Sequence, residues 1–106
     1  MTLAELAALL KSTGYPVAYS HFSGENVPPP PFITYHVDSS SNYFADDRVH
    51  KKIHNVLIEL YTDKKDLNAE ANLEAVLDAN GLAYETTEAW IESEQLFQKT
   101  YEIGVV

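Results

Sequence analysis

The sequence predicts an α+β fold: a single, mainly antiparallel sheet with two helices packed on one face and a long protruding β-hairpin, in the order α-β-β-β-α-β-β. Three observations carry this. Apolar residues recur at helical spacing in two separated segments, about 3–12 and 67–80. β-branched and aromatic residues concentrate in the segments between and after them. Two of these β segments, 32–37 and 49–61, flank a stretch too polar to fold onto a core, so they read as one hairpin and pair antiparallel. A chain of 106 residues, 45% hydrophobic, with only four glycines and five prolines, suits one domain spanning 1–106.

The first helix opens on Thr2 and Glu5, which have capping-box spacing. Leu3, Leu6, Ala7 and Leu10 form its apolar face. Gly14 stands where a left-handed C-terminal cap is expected, and Pro16 blocks continuation. Residues 17–22 read as a short strand. Pro28, Pro29, Pro30 and Pro31 then form an extended, stiff connector, since proline cannot donate ladder hydrogen bonds. The next strand is 32–37, with Ile33, Tyr35 and Val37 alternating against Phe32, Thr34 and His36. Residues 38–47 read as a polar loop bearing Tyr43 and Phe44. The strand 49–61 is polar at its start and nearly all apolar from Val56 to Tyr61. Asp66 caps the second helix, whose stripe is Leu73, Val76 and Leu77. Glu70, Glu74 and Asp78 line up at intervals of four as an acidic ridge, and like charges so placed are mildly destabilising. Asn80-Gly81 ends this helix. Residues 82–86 read as a strand, 87–91 as an irregular piece around Trp90, and 95–105 as a final strand with Phe97, Lys99, Tyr101, Ile103 and Val105 on one side.

Composition excludes several functions. Without cysteine there is no disulfide and no thiolate metal site. No apolar run is long enough to cross a membrane as a helix, and no basic segment precedes an apolar core at the N-terminus. A soluble protein made in the cytoplasm is therefore expected. The net charge of −9 repels a phosphate backbone at long range. That charge is uneven: five of the seven bases, Arg48, Lys51, Lys52, Lys64 and Lys65, fall within eighteen residues, while the C-terminal part is strongly acidic.

Candidate chemistries fail on geometry. His50 and His54 would share a helix face, but on a strand they stand about 13 Å apart, too far for one metal ion. His21 and His36 have no cysteine or nucleophile-elbow serine to work with, and are expected to be partly buried and hydrogen-bonded. The glycines are scattered, so there is no phosphate loop. Glu85, Glu88, Glu92 and Glu94 crowd Trp90, but a small domain has little room for a sugar cleft between paired acids. No enzymatic activity, cofactor or metal is expected. The hairpin is the better candidate: Tyr43, Phe44 and Val49 could anchor a protein contact, with Arg48, Lys51 and Lys52 setting its register against an acidic surface. A basic arm and an acidic half on one chain suit head-to-tail contacts, which close into rings when the rotation allows.

Several phrases carry a family resemblance. The stretch 1–22 (MTLAELAALLKSTGYPVAYSHF), PPPPFITY at 28–35, IELYTDKKD at 58–66 and YEI at 101–103 resemble small proteins from the tail modules of phages and prophages of Gram-positive bacteria. The resemblance covers nearly the whole chain and rests on phrases and element order, with no catalytic motif. It is to tail-completion or tail-terminator (head–tail joining) proteins of long-tailed phages. It implies a hexameric ring on the end of the tail tube, with the tail-tube protein and a head-connector protein as partners and DNA passing through without sequence-specific binding. It further implies residence in the virion, and contact with neighbouring copies through the hairpin, here about residues 42–54. The competing reading is a small adaptor or regulatory domain that binds a host protein through the hairpin or the proline run.

Overall fold

The computed structural model describes residues 1–24, 27–45 and 48–105, and the side chains of these outside 39–52. Helix α1 (Leu3–Lys11) begins as its capping box requires. The Thr2 hydroxyl accepts from the Glu5 amide at 3.1 Å, and Glu5 Oε1 accepts from the Thr2 amide at 3.3 Å. Leu6 and Leu10 are buried, and Gly14 leaves the helix with a φ of +86°, open to glycine without strain. Strand β1 (Val17–Tyr19) is shorter than 17–22. Ser20 adopts a φ of +68°, which turns the chain out of the ladder, so His21 is exposed rather than partly buried.

Strands β2 (Phe32–Ala45) and β3 (Arg48–Thr62) form the long hairpin. The segment 38–45, expected as loop, continues β2. Polar composition excludes a core position, but a ribbon that satisfies its backbone bonds by its own cross-strand pairing needs no core beneath it. Helix α2 (Leu67–Ala79) is capped by Asp66, whose carboxylate accepts from the Ala69 amide at 3.0 Å. Strand β4 (Glu85–Ile91) runs through the segment expected to be irregular, and β5 (Leu96–Val105) follows a tight turn. At that turn Gln95, at a φ of +53°, donates its side-chain amide to the Glu92 carbonyl.

The sheet order is β1-β2-β3-β5-β4. Only β1 and β2 are parallel among bonded neighbours, so the sheet is mixed and mainly antiparallel. Because β3 and β4 each run antiparallel to β5, they are parallel to each other, joined by α2, with β5 inserted between them. Period-2 alternation sends Ile33 with Leu60, and Ile58 with Tyr101, to the face both helices cover. Leu6, Leu10, Ala69, Leu73 and Leu77 close the core from above. Among the described residues no helix covers the opposite face.

Candidate assembly surface

The hairpin outruns the rest of the sheet. Strand β1 pairs β2 only from Ile33 to Tyr35, and β5 pairs β3 only from His54 onward. Beyond those points β2 and β3 bond only to each other among the described strands. The result is a two-stranded arm on a molecule 50 Å long and 29 by 22 Å across. Two register shifts, between Val37 and Ser39 and between Tyr43 and Phe44, interrupt the ladder. Such irregularities bend a ribbon and sharpen its twist.

All six interface candidates lie on this arm. Tyr43 pairs with Lys51, and Phe44 with Val49; Lys52 stands opposite Asn42, and Arg48 opposite Ala45. Their backbone is thus gathered on one paired ribbon. The side chains of Tyr43, Phe44, Arg48, Val49, Lys51 and Lys52 lie outside the described residues, as does that of His50.

A buried polar group sits on the uncovered face at the arm's root. Glu59, only 6% exposed, accepts a hydrogen bond from the Thr34 hydroxyl and lies 3.1 Å from His36 Nδ1. The register explains the grouping, since Thr34 is directly opposite Glu59 and His36 is two positions along the same strand. Burial pushes the Glu59 carboxyl above its ordinary value, and the Thr34 bond and the His36 charge only partly offset that. Sequence inspection passed over Glu59. The available signal was a lone acid within the apolar run 56–61.

Nearby, an open depression of about 240 Å³ is lined by Phe22, Val27, Phe32, Tyr61, Ile91 and Leu96, with His21 and Glu94 among its polar residues. Phe32 stacks on Tyr61 at 5.0 Å and meets Phe22 edge-on at 5.4 Å. Thr34, which donates to Glu59, is on the wall of this depression, while Glu59 and His36 do not themselves line it. Among the described residues no cluster of three or more His, Asp or Glu is arranged for a metal ion.

The acidic ridge of α2 turns inward at Glu70, is half-buried at Glu74 and is exposed at Asp78. Glu70 is 5% exposed, with Oε1 2.8 Å from Lys99 Nζ and Oε2 2.8 Å from Lys65 Nζ. Lys65 also pairs with Glu88, and Glu74 accepts from the Tyr101 hydroxyl at 2.8 Å. Burial alone would raise the Glu70 carboxyl, but hydrogen bonds from Lys65 and Lys99, with their charges, hold it below its ordinary value. Burial likewise pushes Tyr101 up, reinforced by the hydrogen bond to Glu74. These bonds offset the like-charge cost expected of the ridge and pin α2 to β5.

Strand β4 is the sheet's far edge. Residues 85–90 are all exposed, Trp90 at 48%, and Glu85, Glu92 and Glu94 remain at the surface nearby. The Trp90 indole donates to the Glu92 carboxylate at 2.6 Å.

No protein-family model matches the chain, and no curated protein matches it in sequence. Its fold is similar to that of a chain in a solved structure described as "Virion of native gene transfer agent (GTA) particle". The TM-score is 0.65 at 16% identity, over 96% of this chain and 85% of the other. At that identity the likeness is one of fold.

Proposed function

We propose that this protein is a non-enzymatic virion assembly protein: a tail-terminator or head–tail joining subunit that forms a ring on the end of a tail tube. The observation that carries the reading is the fold, shared over 96% of the chain with a component of a gene transfer agent virion. The two-stranded arm supports it, because an arm that leaves its own sheet with unpaired edges is suited to reaching another subunit. In this reading the arm residues Tyr43, Phe44, Arg48, Val49, Lys51 and Lys52 meet a neighbouring copy. One face of the ring meets the tail-tube protein and the other a head-connector protein. The net charge of −9 per copy suits a conduit through which DNA passes without sticking.

Native mass spectrometry, with and without tail-tube protein, tests this. The expected outcome is a closed oligomer, hexameric by the family resemblance, formed alone or on the tube. A protein that stays monomeric and binds no tube refutes the reading.

A further inference from the structure

Resting on the self-assembly reading above, we propose that the arm is received by the open edge of β4 in a second copy of this chain, through the outer edge of β3 over Arg48–Lys52. Among the described strands three long segments lack a partner on one side: β2 beyond Tyr35, β3 ahead of its β5 partners, and β4, the last two being of similar length. In β3 the five residues from Arg48 to Lys52 have no β5 partner among the described residues. In β4 the seven residues Glu85–Ile91 pair only with β5. Each segment is about 20 Å long at the usual strand rise. Each presents a row of backbone donors and acceptors that another strand can satisfy.

Charge selects which edges meet. The β3 segment carries Arg48, Lys51 and Lys52, while the opposing arm strand, from Ser39 to Ala45, carries no charge. The β4 segment carries Glu85, with Glu92 and Glu94 just beyond it, while Glu88 is already paired with Lys65. Pairing β4 with β4 would set acids against acids, and pairing β3 with β3 bases against bases. Both are disfavoured when like charges stand opposite across strands. Only the mixed pairing is complementary, which favours a head-to-tail contact over a closed two-fold dimer. Trp90, half-exposed at the end of β4, gives the joint an aromatic anchor.

The chain has no cysteine, so site-specific crosslinking has a clean background. Three single variants are prepared: Lys51→Cys on the β3 edge, Thr87→Cys on β4, and Ser40→Cys on the β2 edge of the arm. They are mixed in pairs in the presence of tail-tube protein and treated with a short bismaleimide. The expected result is a crosslinked dimer from the Lys51→Cys and Thr87→Cys mixture, lost when Glu85→Lys is added to the Thr87→Cys chain at low salt. The Ser40→Cys and Thr87→Cys mixture should give none. If oligomers form but the crosslink is absent, or runs through Ser40→Cys instead, the edge assignment is overturned and the ring reading survives. If the unmodified chain never self-associates, both fall.

Discussion

Replacing Lys99 by methionine keeps the aliphatic stem in place and removes the ammonium that faces Glu70 at 2.8 Å. Both side chains are largely out of water, at 14% and 6% exposure. Removing one partner of a buried pair costs about 3–5 kcal/mol, because the other charge is left uncompensated. Here Lys65 still reaches Glu70 Oε2, though its own side chain is 44% exposed and shared with Glu88, so part of the loss is recovered. A net destabilisation of about 2 kcal/mol follows. With a urea slope of about 1.3 kcal/mol/M, the midpoint falls by about 1.5 M. The double variant Glu70→Gln/Lys99→Met removes both ends of the 2.8 Å pair, leaves the part-exposed Glu74 held by the Tyr101 hydroxyl, and should regain most of the stability. The pH dependence has a definite sign. Glu70 has a folded-state pKa below its ordinary value of 4.5, so its ionised form stabilises the fold above that value, and the contribution is lost as pH falls through the lower folded value. The gap between wild type and Lys99→Met should therefore be full at neutral pH and shrink in acid. A midpoint shift under about 0.4 M at pH 7 refutes the reasoning, and would mean that Lys65 alone holds Glu70.

Three further outcomes are expected. Glu59→Gln should be at least as stable as wild type at neutral pH. The raised pKa means that the folded state favours the protonated acid, and stability declines as pH rises through it; urea titrations at acid and neutral pH will show whether the variant loses that decline. Leu73→Ala, at a fully buried site of α2, should cost about 3 kcal/mol by thermal or urea unfolding. Reversing Arg48, Lys51 and Lys52 to glutamate should change stability by less than about 0.5 kcal/mol. It should nevertheless abolish self-assembly at low salt by native mass spectrometry; unchanged assembly would remove charge complementarity from the proposed function.

Local signals determined most of the elements. Thr2 with Glu5, and Asp66 ahead of an apolar stripe, mark helix starts because capping is settled within four residues. The alternation of Phe97 to Val105 marks β5 because a strand half covered by helices must alternate. The misread segments share one property. Residues 38–45 and 87–91 are strands with no helix-covered apolar face to announce them, and their hydrogen-bonding partners are supplied from elsewhere in the chain. The interface candidates were picked by type and crowding, as bases and aromatics close together in the chain, whereas the ribbon that gathers their backbone follows from cross-strand register.

Taken alone, the amino-acid order determined where helices begin and end, which helix residues turn to the core, and that charge is split between a basic segment and an acidic half. These depend on neighbours within a turn or two of chain. Tertiary structure decided what distant residues do to one another. It buried Glu59 against Thr34 and His36, folded Glu70 and Glu74 of α2 onto Lys65 and Lys99, and inserted β5 between β3 and β4 so that β4 forms an edge of the described sheet. The reason is that strand order and register depend on contacts tens of residues apart, and no local propensity encodes which edge will be left without a partner.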